Sequence, residues 1–246
     1  LDMKAKLMGA RAICMATAVA SDIAVHHTDE DTRKAAHIRE QLLTPLAKAY
    51  GSDMGMEATS TGVQIHGGMG FVEETGAAQH YRDSRITAIY EGTNGIQAID
   101  LVGRKLRRDG GAGMRDLISD INDIHALIAA ATAKTGTVLD VCEKALRDGV
   151  ETLSTATDIL LNASDESALA AATPYLRLCS DIYAGALLIK ASCNGLIAGD
   201  DKAQNITKLT NYHALGVMPQ AKAYLDVIRS GVEAISDYPE TALADL

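Results

Sequence analysis

The chain has 246 residues, 47% of them hydrophobic, 22% charged and only 4% aromatic, with no Trp and a single Phe. Its mean hydropathy is +0.02, so it carries enough apolar side chain for a packed core and lies far from disordered compositions. A net charge of −9 and an isoelectric point of about 5.2 speak against a nucleic-acid binder and a polybasic membrane surface. Four Pro, none between Pro45 and Pro174, leave long stretches without the strongest helix breaker. An aromatic-rich β-sandwich is excluded, and the expected fold class is all-α.

The N-terminus imitates a signal peptide, with Lys4, Lys6 and Arg11 ahead of Ala12–Ala20 and a cleavage-like Ala18-Val19-Ala20. Met3, Leu7, Ala10, Cys14 and Ala18 nevertheless recur at three- and four-residue steps, which predicts a helix over 1–27. No apolar run is read as reaching the roughly 18–20 residues of a membrane span. Without an initiator Met, the chain reads as a piece of a longer polypeptide.

A polar connector at 28–32 is followed by a second helix from about Arg33 to Ile65, kinked or restarted at Pro45. His66–Gly70, with three glycines, is expected to be irregular. Short helical pieces lead to a helix over about 93–107. The Arg107–Gly113 run, with Gly110, Gly111 and Gly113, is the clearest linker.

Ala- and Leu-rich segments beyond it predict helices at about 114–133, 137–162, 166–198 and 203–230, with short turns that suit an antiparallel bundle. The linker also divides the charge: residues 1–110 carry a net −1 and residues 111–246 a net −8. Two helical units are expected, 1–108 and 114–246. Cys14, Cys142, Cys179 and Cys193 have no CxxC spacing and read as buried free thiols of a reducing, cytoplasmic protein. His66, His80 and His213 lack ligand spacing, so no metal site is expected, and Met54, Met56 and Met69 read as gap fillers.

Gln64-x-x-Gly67-Gly68-x-Gly70 lets backbone approach an anion or a flat ring closely, and equally fits a helix C-cap. Tyr81–Arg85 fits a surface ion-pair cluster. Tyr90-Glu91-Gly92-Thr93-Asn94 sets a carboxylate between the apolar Ile86, Ala88 and Ile89 and a Gly-Thr helix start. A buried Glu in such a place is paired or functional, and an exposed one is an ordinary N-terminal acid.

Taken together, Gln64-Ile-His-Gly-Gly-Met-Gly-Phe71, Arg82-Asp83 and Ile89-Tyr-Glu-Gly-Thr-Asn-Gly-Ile-Gln97 closely resemble the C-terminal α-domain of acyl-CoA dehydrogenases. The resemblance covers residues 1 to about 108. The extension beyond 110 resembles the larger subfamily with an added helical domain, assigned to long-chain or 3-(methylthio)propanoyl-CoA substrates.

The resemblance implies an FAD enzyme in which Glu91 removes the α-proton of an acyl-CoA thioester while the β-hydrogen leaves as hydride to flavin N5, in a slot kept dry and apolar. It implies flavin contacts from Gln64, Ile65, His66, Gly67 and Gly68, reaching a neighbouring subunit's FAD, and from Thr93, Asn94 and Gly95. Gly95 stands where many relatives have Gln. Gly92 would approach the thioester, Tyr90 would line the acyl slot or pack, and Arg104 lies one residue later than the matching Arg of shorter relatives.

The implied partners are acyl-CoA, an electron-transfer flavoprotein and further copies of the chain, as homodimer or homotetramer. An oxidase on the same fold and a non-catalytic assembly fragment are the other readings, and charge disfavours a DNA-associated relative. The 246-residue chain by itself is expected to be helical, self-associating, poor in FAD and inactive.

Overall fold

The computed structural model describes residues 1–233, and every regular element among them is helical. Helix α1 (Asp2–His26) lies along α2 (Glu30–His66), whose first turn is capped by the Asp29 carboxylate accepting from Thr32 N at 2.8 Å. Pro45 sits inside α2 without ending it. A mid-helix proline costs about 3 kcal/mol, but Leu42, Leu43, Leu46 and Tyr50 are all buried around it, each contributing roughly 1.5–3 kcal/mol. Packing wins, and of the kink or restart expected at Pro45 the restart does not occur.

Gly67, at φ +60°, turns the chain out of α2, and α3 (Gly68–Phe71) restarts as one helical turn where irregular backbone was expected. Then come α4 (Ala77–Arg85) and α5 (Asn94–Asp100), the latter running into a π-helical turn at Leu101–Leu106. The linker is a tight, ordered corner. Gly110 and Gly111 take φ +64° and +84°, while the Asp109 carboxylate accepts from Gly111 N and Gly113 N at 2.8 and 2.9 Å.

Beyond the corner lie α6 (Ala112–Asn122), α7 (Ile124–Thr135), α8 (Asp140–Asn162), α9 (Asp165–Ala170), α10 (Ala172–Ala198), α11 (Ala203–Gly216) and α12 (Ala221–Ser230). Three segments expected to be single helices are therefore split, at Asp123, Ala171 and Val217–Gln220. Pro219 accounts for the last break.

Helix α10 is the axis of the molecule. It is buried around most of its circumference and touches α1, α2, α5, α7, α8, α11 and α12. One apolar cluster accordingly runs from Ile13 and Leu46 through Leu101 and Leu117 to Leu153, Ile182 and Leu225, across the corner at 108–113. Cys142, Cys179 and Cys193 are buried free thiols, as expected, but Cys14 is exposed. Met54 fills the core, whereas Met69 stands 57% exposed. Helix α1, although no membrane run was expected there, is long and apolar enough to cross a membrane by length and composition. Here it packs Ala5, Gly9, Ala10, Ile13 and Ala20 against its neighbours.

Two buried polar features join the halves. Where α1, α10 and α11 meet, the His213 ring lies between Gly9 and Gly185; a Cβ on Gly9 would come within 3.3 Å of Nε2, and one on Gly185 within 3.1 Å of Nδ1. Neither ring nitrogen has a hydrogen-bond partner among the described residues. Burial pushes its pKa down to about 4.

Between α2 and α10, the Arg177 guanidinium stands 5.1 Å over the Tyr50 ring and its Nε is 3.4 Å from Asp181 Oδ2. Glu57 bridges onward from Arg177 to Lys6 on α1, which also holds Asp2 at 2.9 Å. Asp181 is fully buried, and burial raises its pKa to about 6 against the opposing pull of Arg177.

Candidate functional site

The segment 86–97 begins as a single 3-10 turn (Ile86–Ala88) that ends α4, and Tyr90 N donates back to Ile86 O at 3.1 Å. Glu91 follows with φ +55°, the only described non-glycine residue in the left-handed region, and Gly92 continues at φ +87°. Two consecutive left-handed residues swing the chain sharply into α5. Glycine is favoured at Gly92 by its φ, and a Cβ there would also lie 3.0 Å from Gln97 Nε2, so that side chain would have to shift.

Thr93 caps α5, its Oγ1 accepting from Ile96 N at 3.4 Å, and Gln97 Nε2 donates to Glu91 O at 3.3 Å. The Asn94 side chain reaches α2, donating to Asp53 Oδ1 at 2.6 Å and Ser52 Oγ at 2.9 Å while accepting from Lys48 Nζ at 2.9 Å. Burial raises the Asp53 pKa, opposed by that Asn94 hydrogen bond and by Arg177 and Lys48.

A left-handed Glu costs about 1–2 kcal/mol relative to glycine, and such strain gathers at functional sites. Glu91→Gly is therefore expected to stabilise the 246-residue chain by about 1 kcal/mol, raising its melting temperature by roughly 2–4 °C. Differential scanning calorimetry checks this; a lower melting temperature would mean that no strain is stored at Glu91.

Glu91, Gly92, Thr93 and Gly95 are exposed, Asn94 is partly buried, and Tyr90 is 50% exposed. The dry slot expected around Glu91 is not built by the described residues of this chain. Its apolar neighbours Ile86, Ile89 and Ile96 are themselves 45–55% exposed.

Gln64, Ile65, His66, Gly67 and Gly68 are exposed at the far end of α2. Asn94 meets α2 at Lys48–Asp53, so Gln64 lies roughly 16 Å further along the helix at 1.5 Å per residue. Within one chain the two groups of residues stay apart. A Cβ on Gly67 or Gly68 would meet no described residue within 4 Å, and beside them Ile65 and Phe71 are 71% and 81% exposed. Open backbone flanked by uncovered apolar side chains fits a flat ring system.

Arg104, in the π-helical turn, is exposed and paired with Asp100. Arg82 makes a bidentate pair with Glu73, at 2.8 and 2.7 Å, on the surface. Among the described residues no group of three His, Cys, Asp or Glu is placed to hold a metal ion. Sequence reasoning passed over Lys48, Ser52, Asp53 and Gln97. Lys48 and Ser52 lie four residues apart on one face of α2, the one signal that pointed to a polar anchor there.

Residues 1–106 match the family described as acyl-CoA dehydrogenase, C-terminal domain, and residues 120–239 match acetyl-CoA dehydrogenase C-terminal like. The 3-methylmercaptopropionyl-CoA dehydrogenase of Ruegeria pomeroyi is 39% identical over 188 residues, covering 75% of this chain and 31% of that protein. A butyryl-CoA dehydrogenase of Syntrophomonas wolfei is 33% identical over 126 residues, covering 51% of this chain and 21% of that protein. The chain thus spans about a third or less of the length of these relatives.

The fold is shared with a Bacillus anthracis acyl-CoA dehydrogenase solved with FAD, at a TM-score of 0.67 and 20% identity over 99% of this chain and 42% of that one. Two adjoining family matches and the helical fold that goes with them make this chain a member of the acyl-CoA dehydrogenase family, belonging to its C-terminal helical region.

Proposed function

We propose that the complete protein is an FAD-dependent dehydrogenase that oxidises the Cα–Cβ bond of an acyl-CoA thioester, with Glu91 as the base that takes the α-proton. The observation that carries this reading is the strained, left-handed Glu91 on an exposed loop tied down by Asn94 and Gln97. A carboxylate held at a costly backbone conformation, with no ion-pair partner among the described residues, is arranged for a task other than stability. An α-C–H beside a thioester is weakly acidic, so the base must be aligned with it and water excluded around it. Gly92, adjoining the base, would receive the thioester, and Tyr90 and Arg104 would contact the rest of the substrate.

Gln64, Ile65, His66, Gly67 and Gly68 of one subunit, and Thr93 and Gly95 of the next, would hold the flavin, and the Asn94 side chain is already engaged with α2. When bound, FAD supplies the two-electron acceptor that the reaction needs, and an electron-transfer flavoprotein is the onward acceptor. The roughly 16 Å along α2 between the two sets supports a homodimer or homotetramer in which each site draws on two chains. Residues 1–108 and 114–246 would act as two family units, whose described parts, up to residue 233, share one core.

The test is anaerobic mixing of the complete protein with acyl-CoA thioesters of graded length. Bleaching of the flavin absorbance is expected, and unchanged absorbance with every thioester would overturn the proposal. Gly67→Val probes the cofactor contact separately. No described residue crowds a Cβ at Gly67, but its φ +60°, ψ −142° lies outside the left-handed helical region, so a branched residue adds about 1–3 kcal/mol of backbone strain while its atoms enter the open space; circular dichroism of the variant shows that the fold is kept. A marked drop in the flavin-to-protein absorbance ratio is expected; full flavin loading would make Gly67 only a helix terminus.

A further inference from the structure

We infer that Asn94 is a positioning residue for the Glu91 carboxylate, fixed in place by Lys48, Ser52 and Asp53 of α2. The inference rests on Glu91 being the base. The loop 89–93 has little of its own to hold it: Ile89, Tyr90, Glu91, Gly92 and Thr93 are all exposed, and no apolar side chain of the loop enters the core. Its order must come from polar contacts.

Ile89 N and Tyr90 N hold the loop's upstream end to Ile86 O at 2.9 and 3.1 Å, and Asn94 supplies the anchor at its downstream end. The Asn94 amide donates to Asp53 Oδ1 at 2.6 Å and shares its other hydrogen between Ser52 Oγ at 2.9 Å and Ala49 O at 3.3 Å, while its carbonyl accepts from Lys48 Nζ at 2.9 Å and Ser52 Oγ at 3.2 Å. Helix α2 is itself locked at these residues, since Ala49, Tyr50 and Met54 are buried to within 1%. Three residues upstream of this anchor stands Glu91, and Gln97 on the next turn of α5 returns to its carbonyl at 3.3 Å. The backbone of the base is therefore tied on its downstream side to α5, and through Asn94 to a rigid helix. A general base displaced by about 1 Å can lose about 10²-fold in rate, so the anchor matters to chemistry through the placement of Glu91.

An amide–carboxylate pair can be exchanged, which gives a sharp test. Asn94→Ala, Asn94→Asp and the double variant Asn94→Asp/Asp53→Asn are compared in the complete enzyme and in the 246-residue chain. In the enzyme, Asn94→Ala is expected to slow flavin bleaching by saturating acyl-CoA about 10²-fold with little change in acyl-CoA affinity. Asn94→Asp, facing the Asp53 carboxylate, should do the same. The double variant restores one amide donor and one carboxylate acceptor, keeps an acceptor for Lys48, and should recover most of the rate.

In the 246-residue chain, exchange of the hydrogen-bonded amides that flank the base, Tyr90, Ile96 and Gln97, should quicken roughly tenfold in both single variants and return towards the parent in the double variant. Failure of the double variant to rescue either measurement, or unchanged exchange in Asn94→Ala, overturns the inference. Glu91→Gln run alongside separates the two ideas. If it bleaches at the parent rate, Glu91 is not the base, and the exchange data still judge the clamp. If it is dead while Asn94→Ala is unimpaired, the base stands and the positioning role falls.

Discussion

Glu91→Gln in the complete enzyme is expected to keep flavin and acyl-CoA bound while slowing the reductive half-reaction by roughly 10²–10⁴-fold. The amide preserves the volume and the backbone demand of the side chain, and the Gln97 contact is to the Glu91 carbonyl, which the substitution does not touch. Only proton acceptance is removed. Stopped-flow absorbance reads the bleaching rate, and equilibrium titration reads the acyl-CoA affinity. A loss of affinity with an unchanged limiting rate would place Glu91 in binding instead, since a base acts in the transition state and not in the ground state. With Glu91→Gly, the pair also makes a stability–function contrast: the glycine variant should be the more stable protein and equally unable to remove the proton.

The second large effect concerns two buried groups whose titrations oppose each other. His213 falls from an ordinary 6.5 to about 4 in the fold. The unfolded chain therefore binds the extra proton between these values, and stability is lost as pH falls through this window, by about 3 kcal/mol. Asp181 rises from 3.8 to about 6. Here the native chain binds the extra proton, and stability is lost as pH rises through about 6, again by about 3 kcal/mol.

The charges facing His213 are Lys6 and Asp2; those facing Asp181 are Arg177 and Lys6. The parent should show little pH dependence from this pair between about pH 4 and 6. In Asp181→Asn the histidine is uncompensated, and the melting temperature should fall by about 6–12 °C more than the parent's over that range. In His213→Leu, which keeps the volume between Gly9 and Gly185, the slope should reverse, with greater stability at pH 5 than at pH 7. Parallel melting curves for all three chains across pH would show that neither group titrates in the fold as described.

The sequence by itself determined the all-α class, the family resemblance and the position of the Glu91 loop, because helical spacing and glycine-bearing motifs are local. Residues such as Gly67 and Gly92 are demanded by backbone conformation at a single point, and that demand is written in the residue. What the tertiary structure decided is whatever depends on the net burial of groups far apart in the chain.

Pro45 reads as a break, yet the apolar side chains around it outweigh its cost. The 166–198 segment reads as one helix, yet it breaks at Ala171 into α9 and α10, and α10 is enclosed by helices from both halves of the chain. The Asn94 anchor joins residues more than forty positions apart, and the opposed His213 and Asp181 owe their shifted pKa values to helices that only folding assembles. Spacing carries no record of such encounters, because side-chain pairing across helices is set by crossing geometry and by the removal of water, and neither is a property of a local stretch of chain.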